Sequence, residues 1–221
     1  MTYHNLLFLH LGLPKTSTCH LQDNIFPKIK DKNLIYNPEI FFEMINLINI
    51  DKVNIGDKKS QIFKEKINIF LKENQKKKIL LSDESLLNYG YGLANIDNKI
   101  RLLNYLIPSA KIIITLREHK SWIVSNYKQS IEQGNFQSFD DFIFFSDNNF
   151  SDINSYECGI LPKLNIKKIS YKKLLSLLKK NFGKDNLFLF KYEDFLDDYN
   201  KSLKSLLSLL TDLKFNDETI K

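Results

Sequence analysis

The sequence predicts an α/β fold with a mainly parallel central sheet flanked by helices. Three observations predict it. Short apolar stretches of strand length alternate along the chain with longer stretches of helical periodicity. The strand-like stretches are almost continuously apolar, as parallel strands covered on both faces must be. Polar and charged residues stand directly after several of them, where ligands bind in open parallel sheets.

The first strand is the run Leu6-Leu7-Phe8-Leu9-His10-Leu11, and it gives way to a turn marked by Gly12 and Pro14. Leu21, Ile25 and Phe26 then have helical spacing. A strand, a tight loop with a lysine and hydroxyls, and a helix start together form an anion site. The first helical N–H groups lack partners and the dipole there favours negative charge. Lys15 adds a full charge, and Thr16, Ser17 and Thr18 add hydroxyls, so the expected ligand group is a phosphate. A plainer reading makes Ser17 or Thr18 an N-cap alone. The loop is not a Walker A motif: the second glycine is absent, and Lys15 follows Gly12 too closely.

Asn33-Leu34-Ile35-Tyr36 reads as a second strand, closed by Asn37-Pro38. Phe41, Phe42, Met44 and Ile45 suggest a short helix, and 54–57 a loop. Apolar residues at 62, 63, 67, 70 and 71 predict an amphipathic helix over 60–72. Lys78 to Ser82 is the third strand, ending at Asp83-Glu84-Ser85, and Gly90 and Gly92 fall in a loop. A helix over 96–107 is stopped by Pro108. Residues 111–116 are the strongest strand, followed directly by Arg117. Helices are expected over 122–131 and 139–145, then a mobile loop over 146–169. A helix over 170–181 ends at Gly183, the last strand covers 187–191, and a final helix covers about 199–211. Lys15, Glu84, Arg117 and Tyr192 all fall at or just beyond strand ends.

At 221 residues and 43% apolar, the chain suits one well-buried domain over 1–221. The formal net charge of +6 favours anionic ligands. The basic residues are scattered, with no stripe interleaved by aromatics, which argues against nucleic acid. Cys19 and Cys158 lack metal-ligand spacing, so no metal is expected and a reducing compartment is favoured. No apolar run is long enough to span a membrane, and the first strand leaves no room for a signal peptide, so the expected location is cytoplasmic.

Three segments, in order, resemble the motifs of sulfotransferases that use 3′-phosphoadenosine 5′-phosphosulfate (PAPS). His10 to Gln22, with Pro14-Lys15-Thr16-Ser17-Thr18-Cys19 at its centre, resembles their 5′-phosphosulfate loop. Arg117 with Ser125 eight residues later resembles their 3′-phosphate motif. Phe190-Lys191-Tyr192-Glu193-Asp194-Phe195 resembles a Tyr-Glu-Asp segment further along. The flavour is closest to bacterial, carbohydrate-type members.

The resemblance implies a three-layer, P-loop-like domain. It implies PAPS as sulfate donor, 3′-phosphoadenosine 5′-phosphate (PAP) as product, and a carbohydrate or small-molecule hydroxyl as acceptor. By resemblance, Lys15 sits at the oxygen bridging phosphate and sulfate, and Glu84 is the general base, with Asp83 a competitor. The donor-binding residues are then Lys15, Thr16, Ser17, Thr18, Cys19, Arg117, Ser125 and Tyr192. His10, His20 and His119 are weaker candidates for the base. Two departures stand out. Ser17 replaces a glycine and is expected to narrow the loop. Cys19 replaces a threonine and offers a poorer donor. A basic segment that many relatives carry after the last helix is not evident. The alternatives are a catalytically weak PAP-binding regulatory protein on the same fold, or a small-molecule P-loop kinase.

Overall fold

A computed structural model describes residues 6–49, 54–87, 96–150, 164–166 and 169–212. Gly90, Gly92, Cys158 and most of the loop expected over 146–169 lie outside these residues.

Five strands form one sheet: β1 (Leu6–His10), β2 (Leu34–Tyr36), β3 (Lys78–Ser82), β4 (Lys111–Leu116) and β7 (Leu187–Lys191). Their order is β2-β3-β1-β4-β7, and all four pairings are parallel. Alternation along the strands divides the core into two. Leu7, Leu9, Ile79, Leu81, Ile112 and Ile114 point into the larger cluster. Phe8, Leu80 and Ile113 point to the opposite face. The period of two in a strand dictates this, and it explains why these strands carry no polar face.

The larger cluster is covered by α2 (Glu39–Asn49), α3 (Lys58–Glu73), α4 (Ile96–Leu106), α5 (His119–Glu132) and α7 (Tyr171–Phe182). They contribute Phe41, Ile67, Leu103, Trp122 and Leu178, all 8% exposed or less. Leu103 is fully buried, and truncation to alanine there would cost about 2–5 kcal/mol. The opposite face is covered by the helix that follows β1, by α8 (Tyr192–Asp197) and by α9 (Tyr199–Leu210), through Leu21, Phe26, Phe195 and Leu206. These are the three layers expected, with a parallel sheet between helices.

The helix after β1 starts as α1 (Thr18–His20), continues with π-helical hydrogen bonds over Leu21–Ile25 and ends in a 3₁₀ turn at Phe26–Lys28 containing Pro27. Single π turns of this kind often accompany functional sites. Three elements differ from expectation. The helix near Phe41 runs through Asn49, longer than its apolar residues suggested. A short helix, α8, starts directly at Tyr192. The helix expected over 139–145 is only α6 (Phe139–Phe142), followed by a two-stranded hairpin of β5 (Phe145–Ser146) and β6 (Asn149–Phe150). Asp147 and Asn148 form its turn with φ of 50° and 58°, the left-handed pair that a two-residue hairpin requires. Among the described residues no helix is long and apolar enough to cross a membrane.

The strand order fixes where a ligand fits. From β1 the chain leaves toward β2 and β3, and from β4 toward β7, so a crevice opens between the carboxyl ends of β1 and β4.

Candidate functional site

A cleft of about 710 Å³ opens at that crevice. Its floor is the loop after β1, through Pro14, Lys15, Ser17, Thr18 and Cys19. Glu84 and Ser85 enter after β3, Arg117 after β4 and Tyr192 after β7. Ser125, Gln129 and Gln133 line it along α5 and its C-terminal end. Of the donor-binding and catalytic residues named from the resemblance, all but Thr16 line this one space, whereas Asp83, His10, His20 and His119 do not.

The loop is shaped by its carbonyls. The Leu13 carbonyl accepts from Thr16 Oγ1 at 2.7 Å and from Thr18 Oγ1 at 3.1 Å. The Pro14 carbonyl accepts from the buried Trp122 Nε1 at 2.7 Å, and that of Lys15 from Arg117 Nη1 at 3.0 Å. Three consecutive carbonyls are thus tied to the protein. The amides that follow enter a helix start, where α-helical geometry offers them no carbonyl. Gly12 is required here by close approach: a Cβ would lie 2.1 Å from Thr18 Cγ2. Lys15 and Ser17 adopt left-handed backbone, φ 62° and 63°. Ser17 therefore keeps the turn that glycine makes easily, at a strain of about 1 kcal/mol.

The threonine hydroxyls turn inward, to the Leu13 carbonyl. Thr16 is buried, its hydroxyl is committed to Leu13, and its side chain does not line the cleft. Thr18 lines the cleft but also bonds inward. Ser17 makes no side-chain cap hydrogen bond to the helix, so the plain N-cap reading does not hold for it. Cys19 is exposed, and burial of its sulfur together with the charges of Glu84 and Asp23 raises its thiol pKa, so it stays protonated at neutral pH.

After β3 the two acids separate. The Asp83 carboxylate accepts from the Ser85 amide at 2.7 Å and caps a 3₁₀ turn over Glu84–Leu86. Capping thus falls to Asp83, and Glu84 is left facing the cleft. Its carboxyl is raised above the ordinary range, first by burial and then by Asp83, with Lys15 opposing. Lys15 also acts on the Cys19 thiol, so its charge belongs to this side of the cleft.

On the other side Arg117 is held flat. Its Nε donates to Ser121 Oγ at 2.8 Å, and its guanidinium carbon lies 4.4 Å from the centre of the Tyr192 ring. Glu118 caps α5 by accepting from the Lys120 and Ser121 amides, which hold its carboxyl below the ordinary value. Glu193 accepts from the Glu118 amide at 2.9 Å and ties α8 to the same corner. Among the described residues neither Lys15 nor Arg117 forms an ion pair, so two cations without direct ion-pair partners there serve the cleft.

The three candidate histidines lie elsewhere. His10 is fully buried, bonds Ser82 Oγ at 2.7 Å, and burial lowers its pKa to about 4. His20 meets the Tyr199 hydroxyl at 2.8 Å, and His119 stacks on Tyr171 with ring centres 4.0 Å apart. None lines the cleft. Among the described residues no group of acidic, histidine or cysteine side chains is placed to hold a metal. Sequence reading missed Ser85, Ser121, Gln129 and Gln133. Gln129 and Gln133 had a signal: with Ser125 they are polar residues spaced four apart, one stripe of a helix.

No family model matches the chain, and no curated protein matches it. Among solved structures, a sulfotransferase from Alicyclobacillus acidocaldarius is similar with a TM-score of 0.55 and 15% identity, over 96% of this chain and 87% of that one. A mouse sulfotransferase, SULT7A1, solved in complex with PAP, is similar at a TM-score of 0.49 and 18% identity, over 97% of this chain and 61% of that one. The molecule is thus a three-layer parallel α/β protein with a cation-bearing cleft at its switch point. Its fold is the sulfotransferase fold, the one implied by the motifs around Lys15, Arg117 and Tyr192.

Proposed function

We propose that the protein is a PAPS-dependent sulfotransferase acting on a hydroxyl of a carbohydrate or small molecule. The observation that carries this reading is the pair of cations serving one cleft, Lys15 on the side of Glu84 and Arg117 against Tyr192. Such a cleft suits a ligand with two separated anionic groups, and a nucleotide phosphorylated at both ends has that form. The solved complex of SULT7A1 with PAP is consistent with this choice.

PAPS, when bound, supplies the sulfuryl group: its bond to the bridging phosphate oxygen breaks as the bond to the acceptor oxygen forms. The protein's part is position and electrostatics. Lys15 and the amides at the helix start stabilise negative charge gathering on the departing phosphate. Arg117, with three N–H groups uncommitted among the described residues, grips the second phosphate, and Ser125 adds a hydroxyl. Glu84 accepts the proton of the attacking hydroxyl, and its raised pKa makes it a stronger base than an exposed carboxylate.

The test is transfer of labelled sulfate from PAPS, without metal, to oligosaccharides, alcohols and phenols. Label should move to at least one acceptor class, and Glu84→Gln should abolish most of that movement. Label remaining on the nucleotide with every class would contradict the reading.

A further inference from the structure

Lys15 is the residue at which the two sides of the cleft meet. Its side-chain charge acts on Glu84, yet its main-chain carbonyl is held from the other side by Arg117 Nη1 at 3.0 Å. Lys15 is also a non-glycine residue at φ 62°, a conformation that persists only where surrounding contacts over-determine it. The flanking carbonyls have their own anchors in Thr16, Thr18 and Trp122. At Lys15 the anchor is a cation that itself faces the cleft.

Arg117 is well fixed for such a task. Nε is engaged by Ser121 Oγ at 2.8 Å, and the guanidinium plane lies against Tyr192. Of its five N–H groups two are committed among the described residues, one to Ser121 and one to Lys15. An anion can therefore bind Arg117 without displacing the loop contact.

We propose that Arg117 is a positioning residue for the Lys15 loop as well as an anion ligand, so that the sites for the two ends of the ligand form together. The inference rests on the reading of the cleft as a PAP site and deepens it. Its consequence is energetic coupling: whatever orders Arg117 also orders the amides and ammonium of the loop, and the coupling runs equally in the reverse direction. Ser121, which does not line the cleft, contributes by orienting Arg117.

Fragments of the ligand separate the two roles. Adenosine 5′-monophosphate has only the phosphate assigned to the loop, and adenosine 3′-monophosphate only the one assigned to Arg117. The variant Arg117→Met keeps an unbranched apolar stem as far as the Nε position and removes every donor. If Arg117 positions the loop, Arg117→Met weakens the 5′-monophosphate by about tenfold, although that ligand has no phosphate for Arg117 to touch. Ser121→Ala weakens it by roughly threefold, a partial loss of the same hydrogen-bonded array, and Ser121→Thr restores it. Hydrogen exchange gives an answer without any nucleotide. In Arg117→Met the Leu21 amide, which donates to the Ser17 carbonyl at 3.1 Å, should exchange about tenfold faster, while those of β1 and β3 are unchanged. An affinity for the 5′-monophosphate within twofold of the parent protein, or unchanged exchange at Leu21, overturns the proposal. A parent protein that binds neither monophosphate nor PAP overturns the PAP-site reading instead, and the exchange experiment still decides the positioning role.

Discussion

The two sides of the cleft are built differently. On the Lys15 side the backbone is irregular: two left-handed non-glycine residues, a glycine excluded from carrying a Cβ, and three anchored carbonyls. On the α5 side, Ser125, Gln129 and Gln133 stand on or at the end of a regular helix, and Arg117 is held by ordinary side-chain contacts. An irregular loop brings backbone amides and an ammonium to one point, which suits a charge that develops during reaction. A helix face spreads side chains over a length, which suits recognition of a ligand already charged. The Lys15 side should therefore govern turnover, and the α5 side affinity.

The largest expected effect tests that division directly. Glu84→Gln preserves shape and removes the proton acceptor, so transfer should fall by about 10²–10⁴-fold while PAP affinity hardly moves. The pH profile adds a sign. Protonation of Glu84 abolishes its role, so kcat/KM should fall as pH drops through its pKa. Because burial and Asp83 raise that pKa, the acidic limb should sit above the usual carboxylate position, and it should vanish in the Gln variant. Retention of the limb would move the base to another group.

Next comes Lys15→Ala, expected to lower kcat by about 10²–10³-fold, the scale for loss of one preorganised donor to a developing charge. Single-turnover kinetics should locate the loss in the chemical step. A change confined to KM would make Lys15 a recognition residue and erase the contrast between the two sides.

Beneath the Lys15 side lies His10, with Nδ1 on Ser82 Oγ and no partner for Nε2 among the described residues. Gln22 also donates to Ser82 Oγ, and Asn37 bonds the Ser82 backbone through both its amide groups. His10 titrates at about 4 when folded and at 6.5 when unfolded. Between those values the unfolded chain binds more protons, so stability falls as pH drops from 6.5 to 4. The loss attributable to His10 is about 3 kcal/mol over that window. Glu84, raised in the folded state, works in the opposite sense and offsets part of it. Urea unfolding of parent protein and His10→Gln at pH 7 and pH 4.5 should show a smaller pH dependence in the variant. Equal dependence would place the acid sensitivity elsewhere.

A smaller effect concerns Ser17. Replacing it with glycine removes the left-handed strain and should raise stability by about 1 kcal/mol, read from the urea midpoint at unchanged slope. Loss of stability would mean that the Ser17 side chain holds the loop by a contact outweighing its strain.

Much of the fold was legible because parallel strands announce themselves. Leu7 to Leu9, Ile79 to Leu81 and Ile112 to Ile114 are apolar on both faces because each packs against two helix layers. The positions of Lys15, Glu84, Arg117 and Tyr192 followed from strand ends alone. What was illegible depended on direction rather than position. Nothing in Thr16-Ser17-Thr18 says that the threonine hydroxyls turn inward to Leu13, since inward and outward rotamers fit the same letters. Asp83 and Glu84 are adjacent acids, and only the geometry of the 3₁₀ turn makes one a cap and leaves the other in the cleft. The hairpin at Asp147-Asn148 lacks the glycine that usually marks such turns. The start of α8 at Tyr192 is hidden because no capping residue marks it: Lys191 stands at the N-cap and makes no side-chain cap hydrogen bond.

The central claim is that this cleft holds a nucleotide phosphorylated at both ends, and it is tested most directly by binding PAP in the absence of metal. PAP at 100 times its Kd should add about 2.7 kcal/mol of stability. For a chain of this size that raises the Tm by roughly 5–10 °C. ATP, which lacks the 3′-phosphate, should give a clearly smaller shift with or without Mg²⁺. An equal or larger shift with ATP and Mg²⁺, or none with PAP, would contradict the account.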